Sequence, residues 1–473
     1  MVGDPQLGAL LSSVVRVMTV ADPPDYEQPW QTAGPGTSTG SGAIIDTAHG
    51  LRILTNAHCV ANHVFVEVRR YGQARKHVAE VSAIGHECDL ALLSVDEPTF
   101  FEGVTPIPIG GLPQLGDRVQ LCGYPIGGER LSIAEGLVSR IELVRYAQSQ
   151  RRLLAVQVDA AINAGNSGGR VLGAGELVGV AFQALEGADR IGHSIAAPVV
   201  EHFLKDVEDG IYDGFPGLGV AIQRLESESH RRSLGLPEGT HGGVLVTRVA
   251  HGGSSWEVLR PGDVLLSVDG VEIAADGTVP LRDGELVGFE YVISGRQVGE
   301  AAALTVWRDG RVTEHTVTLR EPSYLVAEDR YDVPPSYYVF GGLLFVPLTR
   351  DYLETWGSGW WQDAPHELLG LYQSGLRTPE REEPVVLQKV LADRVNQGYH
   401  GLGSVLIARC QGRRVRSLAH LVALVESSTD DFVRFESSHG GRVVLDRARA
   451  IARNPAILEL FGVPRDRSVD LAG

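Results

Sequence analysis

Ser167, in Gly165-Asn-Ser-Gly-Gly169, is the hydroxyl of this chain best placed to act as a nucleophile. No bulky neighbour shields it. Flanking glycines open backbone conformations closed to residues with a Cβ, so that amide N–H groups can converge on one point. Acyl transfer needs such donors where negative charge develops, and the expected pair is the backbone N–H groups of Gly165 and Ser167. A serine hydroxyl is a weak nucleophile at neutral pH, so it requires a base in hydrogen-bond reach and a third group to orient that base. The chain offers both upstream. His58 lies in Ile53-Leu-Thr-Asn-Ala-His-Cys-Val60, where an apolar strand ends in a turn of small residues. Asp89 lies in Gly85-His-Glu-Cys-Asp-Leu-Ala-Leu-Leu-Ser94, where the next apolar strand begins. Taken singly, the three read as a glycine-rich turn, a core histidine and a turn aspartate. Together, their order and their strand-end placement agree with one mechanism, in which His58 is the base and Asp89 orients it.

Short apolar runs punctuated by turns must position these groups. Residues 13–19 and 38–46 read as strands joined by a polar linker, Ala21 to Thr37, and further runs follow at Arg52–Thr55, Val64–Val68, His77–Ala83 and after Asp89. That spacing suggests a barrel. A second set spans Arg118–Pro125, Leu131–Leu143, Leu153–Val158, Arg170–Leu172, Glu176–Ala184 and Gly192–Ala197, so base and acid come from the first set and serine from the second. Pro198 opens an amphipathic helix that Gly210 stops. From about Phe215 the character changes. Arg260-Pro-Gly-Asp-Val-Leu-Leu-Ser-Val-Asp-Gly-Val-Glu-Ile273 is a turn, a strand, an Asp-Gly turn and another strand. Leu406-Ile-Ala-Arg-Cys-Gln-Gly412 can be laid over Val264–Gly270 as a decayed repeat, without the Pro261-Gly-Asp263 turn.

The segments Thr55–Val60, Asp89–Leu93 and Asp159–Gly169 closely resemble the HtrA/Deg family of ATP-independent serine endopeptidases, and the downstream segments resemble its plant-type Deg members and their bacterial relatives. The resemblance implies a mainly β chain: a chymotrypsin-like double β-barrel protease domain over residues 1–212, a PDZ domain over 213–322, and a degenerate PDZ-like domain over 323–473. It implies unfolded or damaged proteins as substrates, with no metal and no nucleotide cofactor, and assembly as trimers or multiples of trimers. The strands around Val178–Leu185 and Gly192–Ala197 would line the pocket for the residue before the scissile bond. Asn163 and Ala164 would help form its wall, and, His193 apart, the pocket would suit an aliphatic side chain. Gly242-Gly243-Val244-Leu245 would open the strand that captures peptide C-termini, because free N–H groups in a glycine loop suit a carboxylate and an exposed strand edge suits an extended peptide. Arg282 to Ser294 would form the helix beside that groove. The third domain offers no clear carboxylate loop and is expected to be an interaction or assembly surface. One departure is Arg170, which stands where the family usually has proline. A rival reading keeps the protease fold latent and assigns the chain to chaperone or scaffold work through its PDZ domains.

Composition sets outer limits. A chain of 473 residues suggests two to four domains. Its 57 glycines favour many tight turns and hence β-rich domains. A net charge of −17 argues against nucleic acid, whose phosphates require clustered cations. With neither a signal peptide nor a run of about 20 apolar residues, the chain is expected in the cytoplasm. Its four cysteines, Cys59, Cys88, Cys122 and Cys410, are too few for a disulfide framework. Cys59 and Cys88 flank the base and acid, which raises a zinc site with His58 and His86, or a redox bridge. Neighbouring strand residues face opposite ways, so small buried apolar roles are expected instead.

Overall fold

A computed structural model describes residues 11–125, 130–160, 167–184 and 192–472. The first six strands are β1 (Val14–Ala21), β2 (Gly36–Thr47), β3 (Gly50–Thr55), β4 (His63–Arg70), β5 (His77–Gly85) and β6 (Leu90–Ser94). They close into a barrel in the order β1-β2-β3-β6-β5-β4. The next six are β7 (Arg118–Gly123), β8 (Ser132–Arg145), β9 (Arg152–Val158), β10 (Arg170–Gly173), β11 (Glu176–Ala184) and β12 (Gly192–Ala196). These close a second barrel, β10-β11-β12-β9-β8-β7.

Why several of these strands are apolar on consecutive residues follows from the two-residue side-chain period. Ile44, Ile53, Ala91 and Leu93 fill the first barrel. Their neighbours Ala43, Ile45, Leu54, Leu90 and Leu92 turn outward and join Leu121, Val156 and Val171 of the second barrel in a shared core. Each fully buried Ile or Leu is worth about 1.5–3 kcal/mol relative to exposure. Burial on both faces thereby cements the barrels along the seam that holds the candidate site. The cysteines follow the same division: Cys59 packs inside the first barrel and Cys88 in the shared core. All four are free thiols, and among the described residues no cluster of His, Cys, Asp or Glu is suited to hold a metal.

Beyond the helix Ala197–Asp206 come β13 (Val220–Arg224), β14 (Val244–Val249), β15 (Val264–Val268), β16 (Val271–Glu272), β17 (Thr278–Arg282), β18 (Glu285–Gly288), β19 (Ala301–Arg308) and β20 (Arg311–Thr318). One sheet runs β13-β14-β15-β19-β20, with β16 folded back on β15. Two sequence expectations need correction here. β14 is paired with β13 on one side and β15 on the other, and the Gly243 N–H is bonded to Ile273 O at 2.6 Å. It therefore has no edge to offer a peptide, and Gly242, Gly243, Val244 and Leu245 do not open a free-edged strand; the outer strands of this sheet are β13 and β20. Residues 282–294 are not one helix either. Asp283-Gly284, with Gly284 at φ +81, turns β17 into β18, and only Glu290–Ser294 is α-helical.

The barrels and this sheet pack as one unit. Val287, Phe289 and Ile293 share a continuous core with Leu143 and Leu154 of the second barrel, and Arg152 lies 3.6 Å from Glu290.

A second compact unit comprises Pro23–Gly34, Ala250–Gly252 and the residues from Ser323 on. Its strands are β21 (Tyr338–Phe340), β22 (Leu343–Pro347), β23 (Val385–Val390), β24 (Val405–Cys410), β25 (Arg413–Arg414), β26 (Phe432–Ser437) and β27 (Arg442–Asp446), ordered β21-β22-β23-β24-β26-β27. The decayed repeat survives in its turns. Asp269-Gly270 takes φ +48 and +78 between β15 and β16, and Gln411-Gly412 takes φ +50 and +74 between β24 and β25. Two consecutive positive φ values are the signature of a type I′ hairpin, which matches strand twist. β21 covers the outer edge of β22, and Tyr338 and Phe340 pack in one core with Leu421 and Val425 of the helix Leu418–Glu426. The stretch Ala21–Thr37 is more than a linker: Gln388 Nε2 donates to Tyr26 O at 2.9 Å, and Trp30 meets Tyr337 edge-on at 5.8 Å. Among the described residues no helix is long and apolar enough to cross a membrane.

Candidate active site

His58 sits in a single 3-10 turn, Ala57–Cys59, at the end of β3. Asp89 ends the tight turn between β5 and β6 at φ +56, a left-handed conformation that aspartate tolerates better than most residues. That conformation aims one carboxylate at both donors of His58. The backbone N–H donates to Asp89 Oδ1 at 2.9 Å, and Nδ1 lies 2.8 Å from Oδ2 and 3.0 Å from Oδ1. An ionised carboxylate only accepts, so Nδ1 carries the hydrogen and Nε2 keeps a lone pair able to take a proton. The Asp89 side chain is 2% exposed and that of His58 32%, as suits an orienting acid behind an accessible base.

Burial disfavours the charged imidazole, but Asp89 and, beside it, Cys59 together outweigh it, and the His58 pKa lies well above the ordinary histidine value. A general base works in its neutral form, so activity is present above this pKa and lost as pH falls through it. The acid limb of kcat/KM for a short peptide is accordingly expected above the ~6.5 of a free histidine. Asp89→Asn removes the charge while leaving the burial, and should move that limb to lower pH. A limb at the same pH in both proteins would remove Asp89 from the assignment.

Ser167 is held through its backbone. Its carbonyl accepts the Ser41 N–H at 2.8 Å, with Cys59 Sγ 3.8 Å away. Among the described residues its hydroxyl makes no hydrogen bond to His58; such bonds often tighten only when substrate is bound. Of the other expected site residues, Asn163, Ala164 and Gly165 lie outside the described residues. His193 on β12 is 5% exposed, and its pKa is lowered by burial, with Glu142 and Arg140 as its charged neighbours. No described hydrogen bond connects it to His58, Asp89 or Ser167. Arg170 opens β10 with its side chain buried, and Nη1 donates to Ser13 Oγ at 3.1 Å.

Three further residues assemble the site. Asn56 is fully buried; its amide donates to Asp89 O at 2.8 Å, and its Oδ1 accepts the Gly168 N–H. One side chain thus ties the acid's turn to the serine's turn. Thr55 Oγ1 donates to Ser41 O at 2.7 Å, and Ser41 Oγ accepts the Tyr124 N–H at 2.7 Å, which ties the two barrels together. Gly168, at φ +77, lies so close to this seam that a Cβ would stand 2.0 Å from Ser41 O. The signal for Asn56 was a polar residue in an apolar strand end, where a buried amide must find partners.

Comparison with known proteins agrees with this architecture. A family model described as a trypsin-like peptidase domain matches residues 40–180, and one described as a PDZ domain matches residues 326–470. The chain is 38% identical over 475 residues to Protease Do-like 2, chloroplastic, of Arabidopsis thaliana, covering 98% of this chain and 76% of that protein. It is 38% identical over 462 residues to Protease Do-like 4, mitochondrial, of the same plant, covering 97% and 85%. Among solved structures, the HtrA-type protease AlgW with tripeptide superposes with a TM-score of 0.52 at 26% identity, over 67% of this chain and 97% of that one.

Proposed function

The chain belongs to the HtrA/Deg family of serine endopeptidases with PDZ domains, to which the Do-like proteases belong, and from that premise we propose that it degrades unfolded or damaged proteins without ATP. Ser167 attacks the scissile carbonyl while His58 takes its proton and later delivers it to the leaving amine. Asp89 holds the imidazole in the working tautomer and stabilises its charged form. The backbone N–H groups of Gly165 and Ser167 stabilise the oxyanion. The observation that carries this reading is the accessible His58 backed by the buried Asp89 at 2.8 Å, across the barrel seam from a pinned serine. A fluorophosphonate probe tests it: the native chain should be labelled and the heat-denatured chain should not. Equal labelling of the two would remove the assignment. Assembly as trimers or their multiples is part of the proposal, and light scattering on the purified chain gives the count.

Client capture is placed on β13, an outer strand of its sheet, and on the preceding Leu218-Gly219, where Gly219 takes φ +70. An extended client adds there as a strand, and its terminal carboxylate is bound by backbone N–H groups. Charge-assisted bonds are worth about 1.5–3 kcal/mol, so amidating the C-terminus of a labelled peptide should weaken binding by at least ~10-fold in fluorescence anisotropy. Equal affinity for acid and amide would place the carboxylate elsewhere. Deleting residues 215–322 is a poorer test, because it uncovers the core shared with Leu143 and Leu154.

A further inference from the structure

The turn His86–Asp89 is fastened to groups that take no part in the hydrolysis described above. Ser149 Oγ donates to Glu87 O at 2.7 Å, and Gln148 Nε2 lies 3.4 Å from His86 Nδ1. The Glu87 carboxylate accepts the Phe215 N–H at 2.7 Å and pairs with the Arg151 guanidinium. Arg151 Nη2 reaches over the same backbone, donating to Phe215 O at 2.8 Å and to Pro216 O at 3.3 Å. Gly214, at φ +83, lies against the pair, and a Cβ there would stand 2.6 Å from Glu87 Oε2. From the other side Asp206 Oδ2 accepts the N–H groups of Asp213 and Gly214, both at 3.0 Å. Tyr212 lies under the turn. A Cβ on Gly85 would be 2.7 Å from its ring, and its hydroxyl is 3.8 Å from Cys88 Sγ. The stretch 212–216, by which the chain passes from the helix Ala197–Asp206 toward β13, is therefore gripped by the turn that presents Asp89.

From this geometry we infer that Glu87 and Arg151 are positioning residues for the catalytic acid: clamped together over backbone 214–216, they set the turn from which Asp89 faces His58. The inference rests on Asp89 being the orienting acid. A left-handed residue persists only where its surroundings fix it, and Asp89, two residues from Glu87, is held at φ +56 by a turn with partners on three other segments, at 148–149, 151 and 212–215. The Glu87 carboxyl is buried, which pushes its pKa up; Arg151 works against that shift, and Glu321 and Asp206 add to it. Among the described residues, no hydrogen bond or ion pair given above for this cluster reaches the serine. Its effect reaches the reaction only through the direction in which Asp89 points.

Steady-state kinetics on a short fluorogenic peptide, followed across pH in the full chain, test this. Asp89→Asn supplies the reference for an imidazole without its acid. Glu87→Gln keeps an acceptor for the Phe215 N–H and loses the charge facing Arg151. It is expected to lower kcat by about 10-fold to 100-fold, the scale of a small misplacement, with KM within about twofold. Its acid limb should shift to lower pH, toward that of Asp89→Asn. A pair that merely staples the fold would lower the active fraction without moving the limb, so a limb at the native position overturns the inference whatever happens to kcat. Should Glu87→Gln fail to fold by circular dichroism, Ser149→Ala removes one hydroxyl from the same turn and is judged by the same criterion, with a loss of about 3-fold in kcat. If Asp89→Asn itself leaves the limb in place, the reading of Asp89 falls and this inference with it. If Asp89→Asn shifts the limb and the other variants do not, this inference alone falls.

Discussion

Ser167→Ala is expected to leave a folded protein that no longer cleaves denatured casein or a short peptide. The bonds that seat residue 167 run through its carbonyl, to the Ser41 N–H and toward Cys59 Sγ, and the substitution leaves both in place. Thermal stability should therefore stay within about 2 °C, the response to a few tenths of a kcal/mol. Chemistry should not survive. Without the nucleophile the remaining groups give only about 10³–10⁴-fold catalysis over water, and the loss in kcat should be of the order of 10⁴–10⁶-fold. Casein gels and a fluorogenic peptide read the two substrates, and a fluorophosphonate should no longer label the chain. Proteolysis by the purified variant within tenfold of the native rate would move the nucleophile elsewhere.

The next residue should respond in the opposite manner, through the fold. At Gly168 an added Cβ meets Ser41 O at 2.0 Å and Thr55 Oγ1 at 2.6 Å, and φ is +77. Neither atom is free to retreat, because Ser41 O is held by Thr55 Oγ1, and Ser41 N and Oγ are bonded to Ser167 O and the Tyr124 N–H. Backbone strain of about 1–3 kcal/mol adds to a contact that only separation of the seam relieves. Gly168→Ala is expected to cost more than about 4 kcal/mol, which places it among the few severe single substitutions. Gly175→Ala is the control. Its φ is +89, with nothing within 4 Å of the added Cβ, so it carries backbone strain alone and should cost about 1–3 kcal/mol. Urea titration of both variants measures the difference, and equal midpoints would show that the seam yields more readily than these contacts imply.

What the sequence made legible was local. Strand runs, the turns at Gly210, Asp269-Gly270 and Gln411-Gly412, and the placement of His58 and Asp89 at strand ends all follow from neighbours in the chain. What it hid was pairing at a distance. Gly242-Gly243 before an apolar strand reads like an open edge, yet the Gly243 N–H was already committed to Ile273, thirty residues on, and β13 took the outer place. Periodicity says which residues are buried in a sheet and is silent on which strand ends it. The helix that the resemblance implied over 282–294 failed for a local reason: Asp283-Gly284 is a hairpin signal, and it turns β17 into β18. Asn56 went unread because its two partners, Asp89 O and the Gly168 N–H, lie 33 and 112 residues away. Tyr26 and Trp30, aromatic residues in a polar stretch, were the available sign that Ala21–Thr37 packs against something.

That last stretch also imposes a schedule. Tyr26 bonds to Arg330 and Gln388, which lie 304 and 362 residues later in the chain. At about 5–20 residues per second, a ribosome needs roughly 15–70 s to supply those partners after Tyr26 has been made. Through that interval β1 and β2 can pair on either side of the stretch, while Tyr26 and Trp30 lack the later residues that they contact. The thermodynamic penalty for so long a loop grows only with the logarithm of its length, so the arrangement costs waiting time far more than stability. A nascent chain thus displays two early aromatic side chains until Arg330, Tyr337 and Gln388 arrive, and a chain whose synthesis stops short of Ser323 displays them permanently.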